Sequence, residues 1–558
     1  MHSLHLLTFT VVFILISLCI SSAKTIYVDD DGYNFRDANF TSIQEAVAYA
    51  EDGDTIIVYS GTYSPIQIEK KLILRGTGET RPVITAEGKA SAVTVKSDDV
   101  IIENFYITDS GSWPEAGVKI TSKNNTVSNN IISSNGYYGV LLNYSSENNT
   151  LRNNEIRNNY HGIAAYYSKN NSILNNTITD NFYGIAFYSR CNFNTTAGNS
   201  VNQNHYGMFL ESSSENILRE NNFTGNSFNF GVWGRFYSDF LNDIDESNSV
   251  DGGVIGYYTN TVDLIIESNA GTVYCIKCEN VTVRNLEIRK SINGIFFFQT
   301  ENSTIENNTI KNTWYGIKIQ NACINNSIRK NVVGDNDFGI HVSSSSRNIF
   351  YLNTFVNNTR NSYSYNSFNF WNATTPLEYI YNSTKFTSYP GNYWDDYQEV
   401  DYDGNGIGDD PYAVDSGHDE NPLIKPPVYY SFLPEIEKSK IEEKGRNSGN
   451  GIQVRDESPT GMSGGSSIIV TPPKVPEEST PVLDEVSSKE NKNRDEEITP
   501  LDVEVSKEER EVYENILPEN ASEGKVYDYT SDRNSTAIIG IISLLLTMLV
   551  LILYLLRK

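Results

Sequence analysis

A right-handed parallel β-helix, all-β apart from a short N-terminal capping helix and a C-terminal transmembrane helix, is the fold class this sequence predicts. Three observations predict it. A glycine recurs every 22 to 24 residues, the residues after it alternate apolar and polar, and an asparagine recurs at a fixed place between two short apolar segments. Alternation with period two marks a strand with one buried face. Strands that recur at one spacing with no helical pattern between them stack coil on coil into a solenoid.

The glycine column runs through Gly117, Gly139, Gly162, Gly184, Gly207 and Gly231, and after a gap through Gly294, Gly316 and Gly339. Segments such as Ile185-Ala186-Phe187 and Ile317-Lys318-Ile319 follow the glycine, and a second strand follows in each repeat, as in Ile173 to Ile178 and Ile305 to Ile310. Asn130, Asn154, Asn176, Asn199, Asn221, Asn308, Asn331 and Asn353 share one register position. Asparagine tolerates left-handed backbone and bonds its own turn, so this column predicts a corner that links each coil to the next around a single dry interior. A leucine-rich horseshoe is excluded because the repeat lacks its leucine spacing.

Five residues before the second strand each coil carries a small residue: Ser122, Ser146, Ser168, Cys191, Ser213, Cys278, Thr300, Cys323 and Ser345. Three of the four cysteines that remain after signal cleavage therefore occupy a packing column, which predicts buried free thiols. Cys275 and Cys278 have the spacing of a metal or redox pair, but residues three apart on a strand face opposite ways.

The ends follow from composition. Leu6 to Ile20 is apolar and runs into Ser21-Ser22-Ala23, which makes 1–23 a signal peptide. Residues 24–112 are the N-terminal cap and first coils, with Ile43, Ala46, Val47 and Ala50 at helical spacing within 40–52. Coils fill 113–235 and 281–375. The repeat is lost over 236–280, which reads as an inserted pair of irregular coils or a side lobe, and 376–430 forms a C-terminal cap. Residues 431–536 are rich in Glu, Lys, Ser and Pro and predict a disordered stalk. The run 537–556 is apolar and uncharged, long enough to span a bilayer, and Arg557 and Lys558 place the short tail 557–558 in the cytoplasm. The folded part is thus expected outside the cell, anchored to the membrane.

A formal charge of −27 and a pI near 4.7 exclude a nucleic-acid partner, which needs Lys and Arg in excess. Asn39, Asn143, Asn170, Asn222, Asn302, Asn357 and Asn382 stand in Asn-x-Ser/Thr triplets, glycan acceptors on an exported chain.

Ile26-Tyr27-Val28-Asp29-Asp30-Asp31, Thr41 to Ala46, Gly53 to Val58 and Gly61-Thr62-Tyr63 resemble the opening of many pectate-lyase-like β-helix proteins. The asparagine-rich coils and Gly391-Asn392-Tyr393-Trp394-Asp395-Asp396-Tyr397 resemble, more narrowly, the NosD-type repeat proteins of archaeal cell surfaces, over residues 25 to 427. That resemblance implies the fold and a role in copper delivery. His161, His205, His341 and His418 share no register position, and methionines are few, so the residues give copper little support.

Two sets of residues carry candidate chemistry. Asp401, Asp403, Asn405, Ile407 and Asp409 have the spacing of the first part of a calcium loop, with a turn glycine at Gly406 and Tyr412 where a bidentate Glu would stand. This predicts a structural Ca2+ that staples the C-terminal cap. Tyr137, Tyr160, Phe182, His205 and Trp314 stand two positions before the glycine, and stacked coils turn them into a ladder suited to the apolar faces of sugar rings. Asp109, Asp180, Asp335 and Asp337 are scattered over different register positions, so no acid/base pair of a glycoside hydrolase is visible. The expectation is a non-catalytic, carbohydrate-binding or structural surface protein, with a polysaccharide lyase or hydrolase and a copper-handling factor as alternatives.

Overall fold

The computed structural model describes residues 23–433 except 399. Its strands pair almost wholly in parallel, each with the equivalent strand of the coil before and after, so the described chain is a parallel β-solenoid. Gly139, Gly162 and Gly184 lie one above another, because Val140 pairs with Ile163 and Ile163 with Ile185. The reason for glycine is the closeness of the coils. A Cβ on Gly162 would stand 2.6 Å from the carbonyl oxygen of Gly184, and one on Gly184 would stand 2.5 Å from that of Gly207.

Three walls enclose the first coils: a ten-stranded sheet from Thr25–Val28 to Asp243–Ile244, an eight-stranded glycine wall from Ile66–Ile68 to Phe228–Trp233, and a sheet that starts at Thr62–Tyr63. That third sheet continues to fifteen strands and is shared. Between Ser249–Val250 and Gly253–Thr259 the pairing turns antiparallel. Asp251 and Gly252, with φ of 45° and 88°, make the two-residue hairpin turn that favours left-handed backbone at both positions. From there the strands of the shared wall run the other way, through Ala270–Ile276, Asn293–Phe298, Tyr315–Gln320, Phe338–Ser343 and Arg360–Tyr365.

The expected single interior is therefore two. Tyr274, Ile276, Phe296 and Phe298 point into the first core, while their neighbours Val273, Cys275, Ile295 and Phe297 point into a second one. The physical reason is the hand of the crossover. When strands reverse while the stack keeps advancing along the same sheet, the winding keeps its hand only if the interior moves to the opposite face, and parallel crossovers overwhelmingly keep one hand. Residues 236–280, expected as an inserted lobe, hold this junction.

The asparagine column is a hydrogen-bonded ladder. Asn130 donates through Nδ2 to Asn154 Oδ1, Asn154 to Asn176, Asn176 to Asn199 and Asn199 to Asn221, at 2.9–3.2 Å. These asparagines are buried and do not themselves adopt the left-handed backbone expected of them. The residue before each one does: Asn129, Asn153 and Asn175 have φ of 57°, 55° and 54°. Turning the chain one residue early swings the asparagine side chain inward, where its amide replaces the inter-coil bonds that a bent backbone cannot make.

The helix spans Ile43–Tyr49, capped by Ser42, which accepts from Glu45 N, and it buries Ile43, Ala46 and Val47 in the first core. At the other end Asn392 completes a ladder by accepting from Asn353, and Trp371 and Trp394 plug the second core against Phe350 and Phe355, with ring centroids 4.4 Å apart in both pairs. Ser431–Phe432, expected at the start of the stalk, pairs with Leu377–Tyr381 in the cap. No helix among the described residues is long and apolar enough to cross a membrane. The expected signal peptide up to residue 22, the stalk beyond 433 and the span 537–556 lie outside the described residues.

Candidate functional site

The outer face of the glycine wall carries the aromatic side chains. Tyr137, Tyr160, Phe182 and His205 stack in succession at 4.8, 5.0 and 4.7 Å. Beside them Tyr138, His161, Tyr183, Tyr206 and Phe228 form a second column at 5.2, 4.7, 4.8 and 5.4 Å. Strand register fixes both, since one residue per coil must repeat at the sheet spacing. The rings cover one another's faces, so what the first column offers to solvent is a row of ring edges and hydroxyls rather than flat platforms.

Trp314 shares the register position of Tyr137 but belongs to the second stack. It reaches back over the junction to Tyr206 at 6.0 Å, Phe228 at 6.1 Å and Trp233 at 6.4 Å. Four of the five expected rings thus form one ladder, and the fifth closes the corner where the second stack leaves the first. Lys318, buried in that corner, holds Nζ 4.5 Å from the ring centre of Tyr315 and 4.9 Å from that of Trp233.

Two carboxyls stand near these rings: Glu211, which the sequence reading left out, and Asp337, which it counted among scattered acids. Glu211 follows Tyr166 and Tyr188 in register and precedes Trp233. Burial raises its carboxyl above the usual range. Its charge adds to the burial that raises the hydroxyls of Tyr166, Tyr183 and Tyr188. Asp337 is likewise raised by burial and acts on Tyr206. The signal for Glu211 was present: one acid in a column that otherwise runs Asn143, Tyr166, Tyr188 and Trp233. For Asp337 there was none, because the junction that brings its coil beside Tyr206 depends on the reversal of the shared wall.

His161, His205 and His341 are dispersed among rings, and His418 pairs with Ala413 in the cap. His161, 2% exposed between Tyr138 and Tyr183, is lowered to about 3 by burial and stays neutral. The cysteine column holds, for Cys278 N bonds Thr300 Oγ1, Thr300 N bonds Cys323 Sγ and Cys323 N bonds Ser345 Oγ. All four cysteines among the described residues are free and buried. The separation expected of Cys275 and Cys278 is corrected: Lys277 has a φ of 55°, the strand turns inward, and both side chains lie in the second core. Opposite facing requires an extended chain across all four residues.

At the C-terminal cap, Asp401 accepts from Asn405 N at 3.1 Å and Gly406 N at 2.8 Å, Asp403 from Asn405 N at 3.1 Å, Asn405 Oδ1 from Ile407 N at 2.6 Å and Asp409 from Tyr402 N at 2.6 Å. The five residues form one closed loop whose side-chain oxygens bind its own backbone. Ile407 itself is buried beside Leu423.

The family described as periplasmic copper-binding protein (NosD) matches residues 47–238 and 242–399. A cell surface glycoprotein of Methanothermus fervidus is 37% identical over 106 residues, which are 18% of this chain and 18% of that protein. Among solved structures, alginate lyase from a Paenibacillus species is similar over 51% of this chain and 94% of its own, with 13% identity and a TM-score of 0.32. Pectate lyase Pel9A is similar over 62% and 79%, with 15% identity and a TM-score of 0.28. Copper requires thiolate, thioether or imidazole donors that converge. Here the thiols of Cys275 and Cys278 are sealed in the second core, 0% and 1% exposed, and burial holds Cys275 well above the usual thiol range. His161, His205 and His341 lie apart from them among the rings and His418 in the cap hairpin, so the donor set of the described residues does not fit copper.

Proposed function

This chain belongs to the NosD family, and from that premise we propose that it works outside the cytoplasm as a membrane-anchored surface solenoid that holds carbohydrate along the ring ladder of its first stack. The single observation that carries the reading is the unbroken row Tyr137, Tyr160, Phe182 and His205, four coils long on one outer face. Such a row has no counterpart need in the core, since Ile163, Ile185 and their neighbours already fill the interior. Aromatic edges and hydroxyls spaced at the coil repeat suit an extended chain of hydroxylated rings. The apolar run 537–556 supports an anchor, and Asn39, Asn170, Asn222, Asn302, Asn357 and Asn382 are exposed, as glycan acceptors must be. A calcium ion bound by the 401–409 loop would fix the cap.

Affinity electrophoresis of the full chain in detergent, through gels holding neutral or acidic polysaccharides, tests the reading. Retardation by one class, lost in the Tyr160→Ala/Phe182→Ala double variant, is the expected result. Equal migration of wild type and variant in every gel overturns it.

A second reading, a lyase or hydrolase, is favoured by one observation: Glu211 is a carboxyl with a raised pKa standing among Tyr166, Tyr183 and Tyr188. A raised carboxyl near tyrosine hydroxyls is equipped to donate a proton. Release of reducing or unsaturated ends that disappears in Glu211→Gln would establish it. Release unaffected by that change would end it.

A further inference from the structure

Where the first strand, Thr25–Val28, ends, the chain passes through Asp29, Asp30 and Asp31 before Phe40 returns to bridge Val28. Each of the three aspartates offers a carboxylate oxygen, and these oxygens all lie within 4.8 Å of one another. None of the three carboxylates has a lysine, arginine or histidine nitrogen within salt-bridge distance among the described residues. Asp29 is 0% exposed, and although its Oδ2 accepts from Phe35 N, its Oδ1 is buried and accepts nothing. Asp30 and Asp31 are held in place by one oxygen each, Asp30 by Thr62 N at 2.9 Å and Asp31 by Tyr33 N at 2.8 Å. Gly61 makes the approach of Asp30 possible, because a Cβ there would collide with the Asp30 carboxylate.

Three like charges packed this closely, one of them buried with a vacant acceptor, are costly without a counter-charge. No side chain among the described residues supplies one. An all-oxygen donor set selects a hard cation, and flexible geometry with an open solvent side selects calcium over magnesium, which demands a near-ideal octahedron. From this geometry we propose that Asp29, Asp30 and Asp31 form a calcium site that clamps the N-terminal end of the first stack. Backbone carbonyls and water complete its coordination. The ion ties the edge strand Thr25–Val28 to the Gly61 turn of the next coil, so its loss frees the segment 29–40. The site is separate from the 401–409 loop and from the carbohydrate reading, and stands or falls without either.

Hydrogen exchange on the full chain in detergent, with about 10 mM calcium chloride or with EDTA, tests the site. The expected result is a slowing of at least about tenfold over residues 29–40 on adding calcium, with affinity in the range of extracellular calcium modules, about 10⁻⁴ to 10⁻³ M. In Asp31→Asn, which changes an exposed side chain and leaves the fold intact, the same segment is expected to exchange at one rate in both conditions. Exchange over 29–40 that ignores calcium in the wild type overturns the proposal, even if 401–409 responds. A calcium response that survives in both Asp31→Asn and Asp30→Asn overturns it as well.

Discussion

The first and second stacks are built from the same repeat, yet the same register position lies under an outer layer of rings in one and in the core of the neighbouring stack in the other. Leu141, Ala164 and Ala186 lie on the outer face of the glycine wall, under the aromatic columns. Two coils past the junction, the equivalent Phe296 is part of the first core, and the next two residues in its column are Lys318 and His341. In both stacks the ladders open on other residues: Val100 N, Phe105 N and Ser110 N donate to Asn125, Asn130 and Asn135 in the first, and Ser303 N and Thr313 N to Asn326 and Asn336 in the second. The lesson is that a coil fixes only its own inside. What lies outside is decided by whichever coil comes to rest against it.

The sharpest way to break this comparison is to jam one stack and observe the other. Gly162→Val sets a branched side chain against the Gly184 carbonyl and Ile178, and is expected to cost the first stack more than about 4 kcal/mol. If the interiors are separate, hydrogen exchange accelerates over the first stack and stays slow from Ile317 to Phe355. Equal acceleration everywhere would mean one cooperative core.

Asn176→Leu removes a rung that accepts from Asn154 N and Nδ2 and donates to Leu151 O and Asn199 Oδ1. Several buried partners are stranded, so urea titration should register a loss of about 3 kcal/mol. Asn331→Leu strands the equivalent partners in the second stack and should lose about the same. A marked difference would show that the ladders are not equivalent between the stacks.

His161 sharpens the comparison through pH. Its folded pKa of about 3 lies below the ordinary 6.5, so the unfolded chain takes up the proton first. Stability is full above pH 6.5 and falls as pH drops toward 3, by about 2 kcal/mol at pH 5. His161→Phe puts into the column a ring type that Phe228 already supplies, and should flatten that part of the pH dependence of the urea midpoint. An unchanged slope would mean that the imidazole takes up its proton in the fold as readily as in the unfolded chain.

The smallest effect belongs to the packing column. Cys191→Ser and Cys323→Ser, one in each stack, place there the residue already used at Ser168, Ser213 and Ser345, and should shift stability by less than about 1 kcal/mol. A large loss at either position would show that the thiol does more than fill space.

The coil, its glycine and its asparagine were legible because each obeys a local rule repeated many times. Gly162 is glycine because the next coil is too close for a Cβ, and every coil repeats the demand. The ladder rings Tyr137 to His205 were legible for the same reason, as register alone aligns them. Misreadings arose where one residue departs from extended backbone. Lys277 turns Cys278 back toward Cys275, and Asn129 rather than Asn130 takes the left-handed conformation.

By itself the sequence determined that short strands repeat, which side of each faces an interior, and that the coils must lie in register, because period-two alternation and steric closeness act within one coil and its neighbour. Only the tertiary structure decided that there are two interiors, that Trp314 meets Tyr206 across a corner, and that three successive aspartates converge on one point beside Gly61. Those outcomes hang on a single hairpin at Asp251–Gly252 and on the path of one loop. A fold with a fixed crossover hand turns such a local reversal into a change of which face is buried.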